Sequence, residues 1–358
     1  MSSERKIVAV TGGSGLIGAQ VIQQLLAQGH DVRATVRDPQ SAKVEFLRKL
    51  ARSEECSNGK LSFFKADLTV PGSFEEAMTG ADVLIHIAAV VKMDFTEGPF
   101  KEVINPAVEG TRDIARTAKK LKMKRVVFTG SVSSIVQLEE NREPKYRGKP
   151  FVEEEKRFDL RPHYATYQLA KAASEQVMYD EFDGEVISIL PTWTVGTQLP
   201  VTPTSSHSLL HAIAARQLPM NPLFYSSWVS AEDVAAAHVL AAFCKMPEGF
   251  RTRRYILSQG DLVSAQDFAD SIRRQCKHLN PPTRMTPWPV LWLASFWDKR
   301  IGPFILQEKC LKLPPFDGSR ICRELGFNYK DKQLDPVIDR AMQSMMSHGN
   351  LPLAPLAK

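Results

Sequence analysis

Five cysteines are scattered over 358 residues, at 56, 244, 276, 310 and 322, with no CxxC pair among them. That spacing argues against a disulfide framework and offers no cysteine metal site. It fits a reducing compartment, so the cytoplasm is the expected location and no metal is expected. The chain also lacks a run of about 18 uncharged apolar residues, so no membrane-spanning helix is expected. Residues Met1 to Lys6 lead straight into a strand pattern, which leaves no expected signal peptide. There are no internal repeats and no low-complexity tract. Blocks of one charge sign are missing too. The net charge is +6, yet bases and acids interleave, as in Glu153-Glu154-Glu155-Lys156-Arg157. A nucleic-acid partner needs a basic stripe and is not expected. What remains is a chain that is 43% hydrophobic, enough for one large or two medium domains.

The most informative stretch is Lys6-Ile7-Val8-Ala9-Val10-Thr11-Gly12-Gly13-Ser14-Gly15-Leu16-Ile17-Gly18. An apolar run feeds a glycine turn. A helix follows with Ile17, Val21, Ile22, Leu25 and Leu26 on its apolar side. Glycines in this order permit a tight turn, close approach of backbone to a pyrophosphate, and close helix–strand packing. The phosphates would meet a helix N-terminus, where free N–H groups and the dipole favour negative charge. Thr11, Gly12, Gly15, Leu16, Ile17 and Gly18 are the expected cofactor contacts here.

The second strand pattern ends in Thr35-Val36-Arg37-Asp38-Pro39. An NAD-binding strand usually ends here in an acid that takes the ribose hydroxyls. Val36 occupies that place and Arg37 follows. An arginine fork suits a 2′-phosphate, and Lys43 adds a second charge. The expected cofactor is NADP(H). Asp38 is the counter-signal, because it can pair with Arg37 or take a ribose hydroxyl.

Strand and helix patterns then alternate to about residue 190. Strands are expected at Leu61–Leu68, Val83–Ala89, Arg125–Ser131 and Glu185–Leu190, with a helix over about Pro106–Leu121. Strict alternation predicts a doubly wound parallel α/β sheet. Pro191, Pro200, Pro203, Pro219 and Pro222 break the pattern, and Arg254–Leu257 reads as a last strand. The predicted layout is a dinucleotide domain over 1–190 with 228–260 returning to it. A smaller C-terminal substrate lobe takes 191–227 and 261–345, and 346–358 forms a flexible tail.

The chemical signal is Tyr167-Gln168-Leu169-Ala170-Lys171. Residues i and i+4 share a helix face, so phenol and ammonium can enter one site. The lysine and a cationic nicotinamide both favour phenolate, which is expected to lower the Tyr167 pKa. Ser131 stands 36 residues earlier, after a central strand. Ligands of open α/β sheets bind beyond the strand C-termini, where Ser131 and Tyr167 can converge. Ser131 would bind a substrate oxygen, Tyr167 would exchange its proton, and Lys171 would hold the ribose and tune Tyr167.

Together these pieces resemble the extended short-chain dehydrogenase/reductase superfamily, with its Rossmann fold. Arg33–Pro39, Lys65-Ala66-Asp67-Leu68, Ile104–Thr111, Leu190–Gly196, Trp228–Ala235 and Arg323–Phe327 are similar to its dihydroflavonol reductase and cinnamoyl-CoA reductase branch. The stretch over 280–314 resembles sterol-dehydrogenase-like relatives. The resemblance implies an NADPH-dependent carbonyl reductase with catalytic Ser131, Tyr167 and Lys171. It also implies adenine contacts at Asp67 and Leu68, and nicotinamide contacts at Ala88, Ala89, Pro191 and Thr192. The implied partner is a small apolar or aromatic carbonyl compound, with Val91, Met93, Val132, Val136 and Trp193 as substrate contacts. Flavonoid-reducing members carry an asparagine where Val136 stands, which argues away from dihydroflavonol itself. Three other readings share parts of this pattern: a 3β-hydroxysteroid-type alcohol dehydrogenase, a nucleotide-sugar epimerase and a non-catalytic NADP sensor. Monomer and homodimer are both compatible with the family. The aromatic stretch over 287–306 reads as a pocket lid, a subunit contact or a peripheral membrane contact.

Overall fold

The computed structural model describes residues 4–90, 98–155, 166–203, 206–294, 296 and 312–353. Its strands are β1 (Ile7–Thr11), β2 (Asp31–Val36), β3 (Leu61–Lys65), β4 (Val83–His86), β5 (Arg125–Thr129), β6 (Glu185–Pro191), β7 (Trp193–Val195), β8 (Tyr225–Ser230), β9 (Thr252–Leu257) and β10 (Leu262–Ser264). Its first helices are α1 (Leu16–Ala27), α2 (Glu45–Ala51), α3 (Glu75–Met78), α4 (Asn105–Lys120) and α5 (Thr166–Glu181). Then come α6 (Ser206–Ala214), α7 (Ala231–Phe243), α8 (Ala265–Gln275), α9 (Trp288–Ala294), α10 (Arg320–Leu325) and α11 (Leu334–Ser347).

Seven strands pair in the order β3-β2-β1-β4-β5-β6-β9, and every pairing is parallel. This is the doubly wound α/β sheet expected from the strand–helix alternation. Successive side chains of a strand face opposite ways, and both faces are covered. Val8 and Val10 pack with α1 and α7, whereas Ala9 packs with α4 and α5 on the other face. All four residues of β4 are buried accordingly. The chain order reverses at β1, which pairs with both β2 and β4. A cleft therefore opens beyond the C-termini of these two strands.

The second sheet is small, ordered β10-β8-β7, with β8 antiparallel to β10 and parallel to β7. Its core gathers side chains from α6, α8 and α11. Helix α8 starts with a capping box: the Ser264 hydroxyl accepts from the Asp267 amide, and the Asp267 carboxylate accepts from the Ser264 amide. Such a cap contributes about 1 kcal/mol. Strand β8 serves both bodies. Trp228 enters the lobe core, and its neighbour Val229 enters the main core.

The tail departs from expectation. As far as residue 353, the stretch from 346 is packed rather than loose. Leu351 is buried. Gln198 Nε2 donates to Asn350 Oδ1 at 2.8 Å, and His211 Nε2 donates to the Asn350 carbonyl at 2.9 Å. Gly349, with φ +73°, ends α11 and turns the chain toward His211 of α6. No described helix is long and apolar enough to cross a membrane. Within the described part of 287–306, Trp288, Val290, Trp292, Leu293 and Phe296 are exposed. Residues 297–306 lie outside the described set.

Candidate active site

The turn after β1 is shaped by contact with the turn after β4. Gly12 has φ +70°, and a Cβ there would stand 2.8 Å from the Ala88 amide nitrogen. A Cβ on Gly18 would collide with the Gly12 carbonyl oxygen. Only glycine lets α1 begin this close to the strand. The helix starts at Gly15 with no side-chain cap and no acid in its first turn. Its N-terminal amides and dipole are thus uncompensated, which fits an anionic pyrophosphate.

Thr11 ties the two turns together. Its hydroxyl accepts from the amides of Ile87 and Ala88, both at 3.0 Å. Its one hydrogen then goes to His86 Nδ1 at 2.7 Å. His86 is therefore the neutral tautomer with its proton on Nε2. Burial, helped by the Lys171 charge, lowers its pKa to about 3. The Thr11 side chain, expected to contact cofactor, is engaged inside the protein.

At the end of β2, Val36 is buried and Arg37 is exposed. Asp67 lies close by. Bonds from the Thr69 hydroxyl and amide hold its carboxyl below the usual range, and the Arg37 charge adds to this. Lys43 is exposed on the next turn. Neither Arg37 nor Lys43 has a side-chain hydrogen bond or ion pair among the described residues. The rim thus combines a buried valine with two exposed cations, one of them acting on Asp67. Leu68, Ala88 and Ala89 line a small apolar cavity that continues to Tyr167 and Lys171.

The third corner lies beyond β5. Ser131 is extended and caps a short helical turn, its hydroxyl accepting from the Ser133 amide at 3.1 Å. Helix α5 brings Tyr167 toward it, close enough for Ser131 to act on the phenol's protonation. One turn on, Lys171 Nζ donates to the Thr129 carbonyl at 2.9 Å. It also lies 6.0 Å from the centre of the Phe128 ring. Burial lowers the Lys171 pKa to about 8, with Glu175 pulling the other way. Burial also pushes the Tyr167 phenol up, and Ser131 offsets part of that. The sequence led to the opposite expectation for Tyr167. Desolvation of the phenolate is the largest influence on it.

Thr129 is itself fixed by a pair the sequence did not disclose. Its hydroxyl meets His238 Nε2 at 2.7 Å, while His238 Nδ1 lies 2.7 Å from the Val234 carbonyl. A carbonyl only accepts, so His238 carries its proton on Nδ1 and Thr129 is the donor. Burial lowers the His238 pKa to about 4.

The expected substrate contacts are less united. Val91 and Met93 lie outside the described residues. Val132 and Val136 are each only 8% exposed and pack with Phe151, Leu190, Ile256 and Phe316. Trp193 stands edge-on to Phe224 at 4.6 Å and to Phe268 at 4.4 Å, within the lobe. These apolar side chains are core members first, the commoner fate of such residues. Pro191 is buried in β6, and the amide and hydroxyl of Thr192 both donate to the Leu257 carbonyl.

The fold and the glycine turn define a dinucleotide-binding α/β protein. A family model described as the NAD dependent epimerase/dehydratase family matches residues 8–247, and the chain belongs to that family. Within it, the chain is a dihydroflavonol-reductase-like member of the extended short-chain dehydrogenases/reductases. It is 32% identical over 362 residues to dihydroflavonol 4-reductase of Arabidopsis thaliana, covering 99% of this chain and 86% of that protein. It is 29% identical over 360 residues to a bifunctional dihydroflavonol 4-reductase/flavanone 4-reductase of Malus domestica, covering 99% and 94%. Among solved structures, vestitone reductase from alfalfa superposes with a TM-score of 0.69 at 21% identity, covering 97% of this chain and all of that one. Gre2 from Candida albicans in complex with NADPH superposes with a TM-score of 0.72 at 22% identity, covering 96% and 99%. At these identities the superpositions establish the fold.

Proposed function

We propose that this chain is an NADPH-dependent carbonyl reductase. The observation that carries the reading is that Tyr167, with Ser131 acting on its phenol, and Lys171 line one apolar cavity together with Leu68 and Ala88. The names of the curated relatives, reductases of flavonoid ketones, support it. Arg37 and Lys43 hold the 2′-phosphate, and the first-turn amides of α1 hold the pyrophosphate. NADPH, when bound, supplies the hydride. Ser131 donates a hydrogen bond to the substrate carbonyl oxygen and so orients it. Tyr167 gives its proton to that oxygen as negative charge develops there. A raised phenol pKa suits this direction, because the proton is in place at neutral pH. Lys171 then stabilises the phenolate left behind and binds the ribose hydroxyls. The apolar lining of the cavity beside Tyr167 favours aromatic or aliphatic ketones and aldehydes as the substrate class.

The test is loss of NADPH absorbance across aromatic and aliphatic aldehydes, diketones, flavonoid ketones and ketosteroids, each repeated with NADH. Turnover that prefers NADPH and disappears in Tyr167→Phe supports the reading. Tightly bound NAD in the purified protein, with no net turnover, would replace it with the epimerase reading.

A further inference from the structure

Glu175 follows Lys171 by one turn of α5, and it meets Arg254 of β9, 79 residues away in sequence. The two form a fork: Nε to Oε1 at 3.1 Å and Nη2 to Oε2 at 3.0 Å. The Glu175 side chain is 6% exposed and that of Arg254 17%. Arg254 has three further bonds. Nη2 also donates to Ser134 Oγ at 3.0 Å. Nη1 donates to the carbonyls of Glu153 and Glu155, at 2.8 and 3.2 Å. Ser134 in turn donates to the Ser131 carbonyl at 2.8 Å. A continuous chain of bonds therefore runs from the Ser131 turn through Ser134 and Arg254 to the helical turn that bears Lys171.

A buried ion pair is weak grounds for stability, because desolvation cancels most of its Coulomb gain. What an apolar pair lacks is direction. The planar guanidinium fixes three separate segments at set angles. We propose that, within the reductase reading above, Arg254 is a positioning residue: with Glu175 it sets the spacing between the Ser131 turn and the Lys171 turn of α5. It touches no reacting atom and acts through Ser134 on one side and Glu175 on the other.

The groups facing Lys171 are Tyr167 and Glu175 on α5, His86 at the end of β4 and His238 on α7. Both histidines are neutral above about pH 4. Glu175 is then the anion that raises the Lys171 pKa against burial.

Three full-length variants test the assignment: Arg254→Lys, Glu175→Gln and the double variant Arg254→Met/Glu175→Gln. Arg254→Lys keeps the charge but loses the fork and the Ser134 bond. Its kcat is expected to fall about tenfold to a hundredfold, as misplacement of reacting groups does, while the NADPH dissociation constant stays within about twofold. Glu175→Gln removes the anion near Lys171, so the alkaline limb of kcat/KM is expected to move to lower pH. The double variant leaves no buried charge unpaired. It is expected to fold with a melting temperature near that of the parent and still show the lowered kcat. A double variant with parental kcat and pH profile would make the pair purely structural and overturn the proposal. The chain of bonds also has a readout that needs no turnover. The Lys171 side-chain NMR titration, assigned by its loss in Lys171→Arg, is expected to shift down in Glu175→Gln. An unshifted Lys171 titration overturns the proposal. Absence of turnover in the parent protein, with Lys171 shifted, overturns only the reductase reading.

Discussion

The proposed dinucleotide rim and the proposed catalytic corner work by opposite means. The rim offers backbone amides at the start of α1 and two exposed cations, Arg37 and Lys43. Charges there act through water and are screened within about 8 Å at physiological salt. The corner beyond β5 is dry. Lys171, His86 and His238 are buried, and each has its pKa displaced by loss of water. The rim can supply affinity without disturbing its own groups. The corner can supply reactivity because its groups are held away from their ordinary protonation behaviour. Binding and chemistry are thus separable by mutation, and four measurements set how cleanly.

The largest expected effect is on stability in acid. His86, His238 and His207 are buried and neutral, with pKa values lowered by desolvation from 6.5 to about 3, about 4 and about 4. Between pH 6.5 and about 4 the unfolded chain binds protons at these sites and the folded chain does not. Stability therefore falls as pH falls through that window, by about 2 kcal/mol per histidine at pH 5 and about 6 kcal/mol for the three. Lys171 acts at the other end: its folded pKa of about 8 lies below the ordinary 10.5, so its burial cost is relieved as pH rises between these values. Thermal melts from pH 8 to 5 check the acid limb. A melting temperature that ignores pH would show that the corner is wet.

Next comes Tyr167→Phe, which removes the proton and keeps the ring. Turnover is expected to drop about 10²–10⁴-fold, with NADPH affinity within about twofold, measured by quenching of NADPH fluorescence. Equal losses in both would join corner and rim into one site. Arg37→Ala reverses the pattern. NADPH binding is expected to weaken by about 1.5–3 kcal/mol, the worth of a charge-assisted contact, and NADH binding to stay level. Added salt should weaken NADPH binding to the parent more than to the variant. The smallest effect is expected of Lys43→Ala, an exposed single charge on a flexible stem, at about threefold in NADPH affinity. An effect as large as that of Arg37→Ala would place Lys43 in a fixed bond to phosphate.

The same contrast governs what the sequence discloses. The strand, glycine turn and helix over 7–27 are local, and the burial of apolar residues at helical spacing makes them legible. Tyr167 and Lys171 are equally local, four residues apart on α5. The groups that condition them come from afar. His238 meets Thr129 across 109 residues, and Arg254 meets Glu175 across 79. Nothing in either segment marks its partner. Side chains such as Val136 and Trp193 fail for another reason. An apolar residue that lines a pocket and one that fills a core carry the same sequence signal, and these two pack in cores. In the lobe, strands β7 and β10 have three residues each, too short to show a period.

One feature of the sheet bears on how the protein is made. Strand β9 closes the edge next to β6, yet the chain reaches it only after β7 and β8 have been laid down elsewhere. At about 5–20 residues per second, Arg254 leaves the ribosome on the order of ten seconds after Lys171. From its own emergence until then, β6 is an open edge able to pair with another strand. The nascent chain thus holds Tyr167 and Lys171 early and Arg254 late, and until β9 arrives the β6 edge is open to mispairing.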